Sequence, residues 1–84
     1  MKFNAEINVM PLKGLLDPQG KAVTHSMGAI GLSEIGNVRI GKHLTLEIEA
    51  SSSAEAYQKA ETACKKLLAN PVMEFYEIVV SENQ

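Results

Sequence analysis

Tryptophan is absent from this 84-residue sequence, and aromatic residues make up only 5 % of it, so any core must be largely aliphatic. Cys64 is the only cysteine, which excludes an intrachain disulfide and a multi-thiolate metal cluster. No apolar run approaches the roughly 20 residues that a membrane-spanning helix needs. The opening Met1-Lys2-Phe3-Asn4-Ala5-Glu6 sets a polar residue against each apolar one, so no secretory signal core is expected. Basic charge is not in excess either: eight Lys and Arg face ten Asp and Glu, for a formal charge of −2. Nucleic-acid phosphate calls for concentrated Lys and Arg. These absences predict a soluble cytoplasmic protein with neither a membrane nor a nucleic-acid partner.

What is present is an ordinary globular balance, with 45 % apolar residues and no biased segment. The length predicts a single domain over residues 1–84. So short a chain buries only about 60–65 % of its unfolded surface. Oligomerisation is a common remedy for such a small core.

Phe3, Ala5, Ile7 and Val9 alternate with polar residues, the period of a half-buried strand. Met10 to Leu16 reads as a loop, with Pro11 and Gly14 as breakers. Asp17-Pro18 is a helix start, Asp capping free N–H groups and Pro suiting the first helical position. Val23, Met27 and Ile30 then form one apolar stripe, and Gly31 suits a left-handed stop. Val38 and Ile40, then Leu44, Leu46 and Ile48, alternate on either side of Gly41-Lys42, which predicts a β-hairpin. Ser52 and Glu55 have the spacing of a capping box. The helix they open has an expected core stripe of Ala56, Ala60, Ala63, Cys64 and Leu67, with Glu55–Lys59 and Glu61–Lys65 paired on its wet side. Asn70-Pro71 stops it, and Val72 to Val80 reads as a last strand.

The order β-α-β-β-α-β predicts an α+β ferredoxin-like sandwich: a four-stranded antiparallel sheet with two helices on one face. The last strand breaks the expected alternation. Val72, Tyr76, Ile78 and Val80 point one way, while Met73, Phe75 and Val79 are apolar on the other. A strand apolar on both faces is usually covered on both. Either a second subunit covers Met73, Phe75 and Val79, or a terminal segment folds over them.

The residues with chemical potential do not assemble into a catalytic set. His25 and His43 have no metal-ligand spacing, and both read as surface histidines. Cys64 falls on the apolar stripe, where a thiol behaves as a small hydrophobe. Glu6, Glu47 and Glu49 share a strand face without an apolar pocket to split their pKa values. Gly28-Ala29-Ile30-Gly31 is too short for a phosphate-cradling loop. The outward positions Asn4, Glu6, Asn8, Thr45, Glu47 and Glu49 offer no aromatic platform for stacking bases.

Two features go unexplained by folding. The segment 11–20 carries Leu12, Leu15 and Leu16 between breakers, which fits either a hydrophobic staple or a docking loop. Arg39 and Lys42 flank Gly41 at the expected hairpin tip, as solvated charges or as a docking point. Leu15, Leu16, Asp17, Pro18, Gly20, Arg39, Gly41 and Lys42 are therefore the candidate partner-docking residues. Met73, Phe75 and Val79 are the candidate oligomer contacts. On these residues alone, a small-molecule-binding regulatory domain competes with an assembly module, and a stand-alone small enzyme is a weaker rival.

Three segments carry a resemblance: Leu16 to Val23, Asn37 to Lys42 with Leu46 to Glu49, and Cys64 to Val72 with Glu74 and Tyr76. Their order and spacing resemble the PurS family of phosphoribosylformylglycinamidine synthase subunits over essentially the whole chain. The resemblance implies the ferredoxin-like fold and a non-catalytic role in the fourth step of purine synthesis. It also implies self-association as a dimer or tetramer. The implied partners are a large synthetase subunit, which uses ATP and Mg²⁺, and a glutaminase subunit that supplies ammonia. No cofactor is expected on this chain. One departure is visible: the family's last strand tends to be acidic on its outer face, where Phe75 and Val79 stand here.

Overall fold

The computed structural model describes residues 1–15 and 17–83. A first strand, β1 (Lys2–Pro11), is followed by helix α1 (Pro18–Ala29) and strand β2 (Lys42–Glu49). Helix α2 (Ser53–Ala63) continues into a π-helical turn (Cys64–Leu68), and strand β3 (Glu74–Glu82) follows. The sheet is antiparallel with order β2-β1-β3.

The register explains the core. Ala5 lies between Leu46 and Val80, and Ile7 between Leu44 and Ile78, so one face collects the apolar members of all three strands. Phe3, Ala5, Ile7 and Val9 of the central strand are fully buried beneath α2. The helix meets them with Ala56, Ala60 and Cys64, small side chains that let its backbone approach closely. The flanking Leu44, Leu46, Ile48, Tyr76, Ile78 and Val80 are only half-buried.

The helix ends follow from local chemistry. Asp17 accepts from the Gly20 N–H at 3.0 Å, with Pro18 in the first turn. At the far end Gly31, at φ +83°, closes a Schellman motif: its N–H reaches the Gly28 carbonyl and the Leu32 N–H reaches that of Met27. In α2, Ser52 caps the Glu55 N–H at 3.2 Å, but the Glu55 carboxylate turns to the Ser51 hydroxyl and Lys59 instead of completing a capping box.

Several expectations are corrected. The sheet has three strands among the described residues, not four. Val38 and Ile40 do alternate, but their N–H groups are taken by Thr24 and Asp17 of α1 and its cap, leaving none for a strand ladder. No hairpin forms at Gly41-Lys42, since β2 pairs with β1 alone. The two helices do not share the sheet face: α2 packs on all three strands, whereas α1 has no comparable contact with any element. Of its stripe, Val23 and Met27 are half-buried and Ile30 is 67 % exposed.

The core stripe of the second helix also shifts at its end. At the π-helical turn the Ala69 N–H bonds to the Cys64 carbonyl, five residues back. The extra residue in that turn rotates Leu67 outward to 82 % exposure and brings Leu68 and Ala69 to the core. The last strand then begins at Glu74, because a turn at Asn70–Met73 occupies the preceding backbone and leaves Val72 exposed.

The result is elongated. The radius of gyration is 16.5 Å, against about 12 Å for a compact chain of this length.

Candidate functional site

The standoff of α1 creates a groove. One wall is the N-terminal half of α1, the other is the strap 37–40, and the loop at Lys13–Leu15 closes one end. Asp17 builds the junction with both carboxylate oxygens, one taking the Gly20 N–H and the other the Ile40 N–H at 3.1 Å. Thr24 repeats the device seven residues on: its hydroxyl donates to the Gly20 carbonyl at 2.7 Å and accepts from the Val38 N–H at 2.9 Å. Asn37 takes φ +55°, which Asn tolerates, and so turns the chain into the strap. The Arg39 guanidinium then donates to the Pro11 carbonyl, tying the strap to the end of β1.

Two glycines allow this approach. A Cβ at Gly20 would strike the Val38 carbonyl and the Asp17 carboxylate, and one at Gly41 would strike the Val9 carbonyl and the Met10 sulfur.

The electrostatics are lopsided. Lys13, Lys21 and Arg39, three of the chain's eight Lys and Arg, line the groove together with His25. Asp17 is the single carboxylate among the lining residues. The Gly20 N–H, then the Ile40 N–H, hold its carboxyl below the ordinary aspartate range, and nearby Arg39 adds to this. Leu15 and Val38 give the groove, about 710 Å³, an apolar element.

Of the sequence-named docking residues, the structure brings Leu15, Asp17, Gly20 and Arg39 together here. Pro18 is exposed at the start of α1. Gly41 packs against β1 outside the groove, and Lys42 is exposed at the start of β2. Leu16 lies outside the described residues. Sequence reasoning missed Lys13, Lys21 and Thr24 and treated His25 only as a surface histidine. The spacing of Asp17, Lys21, Thr24 and His25 at four, three and one does place them on one helical face.

All three oligomer candidates are exposed. Phe75 and Val79 lie on the sheet face away from α2, opposite Met10 and Glu6, and Val79 is 60 % exposed. Met73 precedes β3; its carbonyl accepts from the Leu12 N–H, and it lines a smaller cavity with Pro11, Leu15 and Asn70.

The remaining titratable groups have structural surroundings. Cys64 is buried, and burial, then Glu61, pushes its thiol up, away from the reactive thiolate. His43 bonds Asn8 across the sheet at 2.6 Å and lies 3.8 Å from Glu6. Among the described residues, no group of three or more His, Cys, Asp or Glu is placed to hold a metal ion. No helix among them is long and apolar enough to cross a membrane.

Comparison with known proteins is decisive for kinship. The family model for PurS, phosphoribosylformylglycinamidine (FGAM) synthase, matches residues 4–82. The chain belongs to the PurS family. Among PurS relatives, the subunit of Bacillus subtilis is 38 % identical over 80 residues, covering 95 % of this chain and 94 % of its own. The Methanocaldococcus jannaschii PurS crystal structure superposes with a TM-score of 0.84 at 29 % identity, covering 98 % of this chain and 99 % of that one. It is described as one of the subunits of formylglycinamide ribonucleotide amidotransferase in the purine biosynthetic pathway. A chain of the PurLQS structure from Thermotoga maritima matches with a TM-score of 0.86 at 31 % identity, covering 96 % and 99 %. The three-stranded α+β architecture is thus shared with solved PurS structures.

Proposed function

We propose that this chain is a non-catalytic assembly subunit of phosphoribosylformylglycinamidine synthase. It bridges the large synthetase and the glutaminase, so that ammonia released from glutamine reaches formylglycinamide ribonucleotide. The observation that carries this reading is the near full-length match to a chain of the PurLQS assembly. On this reading ATP and Mg²⁺ are used by the synthetase, the present chain binds no cofactor, and the complex works in the cytoplasm. The chain self-associates as a dimer or tetramer. An elongated protomer with exposed Ile30 on α1 and exposed Phe75 and Val79 on the outer sheet face supports that, because exposed apolar surface marks interaction sites.

The test is reconstitution with the cognate synthetase and glutaminase. Glutamine-dependent amidine formation should require this protein, while ammonia-dependent formation by the synthetase should depend on it less. Full glutamine-dependent activity in its absence refutes the proposal, as does glutamine or ATP turnover by the purified chain alone.

A further inference from the structure

The groove between α1 and the strap 37–40 has features that folding does not require. Lys13, Lys21 and Arg39 come from three different segments, yet they line one cavity although the chain as a whole is acidic. Among the described residues, none of the three has a carboxylate within ion-pair distance. Lys59 and Lys65 each lie beside a glutamate one turn away, while Lys2, Lys42 and Lys66 are, among the described residues, likewise unpaired. What sets Lys13, Lys21 and Arg39 apart is that they converge on one cavity. Asp17, kept ionised by the two backbone N–H groups, offsets one of these charges and leaves the lining with a net formal excess of two cations.

From this placement we propose that the groove seats an extended acidic segment of a partner subunit, with carboxylates at alternate positions. The proposal rests on the assembly reading above and names where one enzyme docks. Geometry favours a segment. Lys21 and His25 are one helical turn apart, about 6 Å along the axis. Alternate side chains of an extended strand are about 6.7 Å apart on one side, so successive carboxylates fall in step with the helix face. Leu15 and Val38 supply the apolar part of the lining for the intervening side chains. A lone phosphate would leave most of the 710 Å³ unfilled and could not engage cations spread along both walls. Charge pairing of this kind directs encounter and sets register.

The proposal is tested on the full-length, ¹⁵N-labelled protein with two short capped peptides, one of alternating Glu and Ser, the other of alternating Lys and Ser. The Glu peptide should shift amides of Lys13–Leu15, Lys21–His25 and Asn37–Arg39 saturably, and added salt should weaken it. Lys13→Glu with Lys21→Glu, both exposed positions, should reduce its affinity about ten-fold or more with the amide spectrum otherwise unchanged.

Four results would overturn the idea: equal shifts from the Lys peptide; shifts centred on Lys59, Lys65 and Lys66; inorganic phosphate saturating the same amides and excluding the peptide; or the same amides moving on dilution of the protein alone, which would mark a second copy as occupant. In the reconstituted synthase, the double variant should lose co-elution with one enzyme and most glutamine-dependent activity. If amidine formation still needs this protein but the variant matches wild type, the groove is wrong and the assembly role stands. If it needs no such protein, the assembly role itself is wrong.

Discussion

Asp17 and Ile40 are joined by a 3.1 Å hydrogen bond from backbone N–H to carboxylate across 23 positions of sequence. The same side chain caps α1, so one carboxylate both starts the helix and fastens the strap beside it. This dual use explains how one residue, read from the sequence both as a helix cap and as a docking candidate, shapes a groove.

The bond sets a pH dependence. Asp17 has its folded-state pKa lowered, chiefly by the Gly20 and Ile40 N–H groups. A lowered folded value means that its stabilisation is complete above the unfolded value, near 4, and is lost as pH falls through the folded one. Glu55, lowered chiefly by the Ser51 hydroxyl with help from Lys59, acts in the same direction. Thermal melts should therefore show falling stability below about pH 4, and Asp17→Asn should flatten part of that acid limb while lowering stability at neutral pH. An unchanged acid limb in the variant would argue against the junction.

Thr24 supplies a second, uncharged fastening. Replacing it with Val keeps the shape but strands the Val38 N–H. A cost of about 1–2 kcal/mol is expected in denaturant titration, with faster amide exchange at Val38. Thr24→Ser keeps the hydroxyl and should protect Val38 nearly as well as wild type.

The strap is also the place where sequence reading and structure part. Both helices, the three strands and their caps were legible, because Phe3 to Val9, Leu44 to Ile48 and Tyr76 to Val80 carry a clean period of two over a shared core face. Val38 and Ile40 carry the same period and still form no strand. Periodicity reports which way side chains point, whereas ladder membership depends on where N–H groups find acceptors, and Thr24 and Asp17 are nearer than any strand. The π-helical turn was hidden for a similar reason, since an i to i+5 bond has no residue signature in Cys64-Lys65-Lys66-Leu67-Leu68. Of the candidate site, Asp17, Gly20 and Arg39 were singled out as docking candidates. Lys13 and Lys21 were not, because three cations distant in sequence meet only once α1 lifts off the sheet.

That lifted helix bears on self-association. The radius of gyration of a lone protomer is 16.5 Å over Cα atoms, so small-angle scattering and light scattering together can separate monomer from oligomer. We expect an oligomer at micromolar concentration. Val79→Glu on the outer sheet face and Ile30→Glu on α1 probe two different contact surfaces, both largely exposed in the protomer. The one that lies in the interface should shift the population toward monomer, because it buries an unpaired carboxylate. Monomeric wild type would refute the expectation outright.

The last prediction separates Arg39 from Lys42, which the sequence presents as a matched pair of charges around Gly41. They are not equivalent in the fold. Arg39 is half-buried, donates to the Pro11 carbonyl and acts on Asp17 only through its charge, whereas Lys42 is exposed where β2 begins. Arg39→Glu should therefore remove the tie between strap and β1 and set a second carboxylate near Asp17, lowering stability by about 1–3 kcal/mol in denaturant titration. Lys42→Glu should stay within about 0.5 kcal/mol of wild type, as surface substitutions do. Complex activity of the Arg39 variant must accordingly be measured below its own melting temperature. There, Arg39→Lys keeps the charge but offers a point donor in place of the planar fork, and should recover encounter with a partner better than it recovers the Pro11 bond. A loss at Arg39→Glu no larger than that at Lys42→Glu, with both within about 0.5 kcal/mol of wild type, would mean that Asp17 and Thr24 suffice to hold the strap and that the Arg39 side chain adds nothing to the fold.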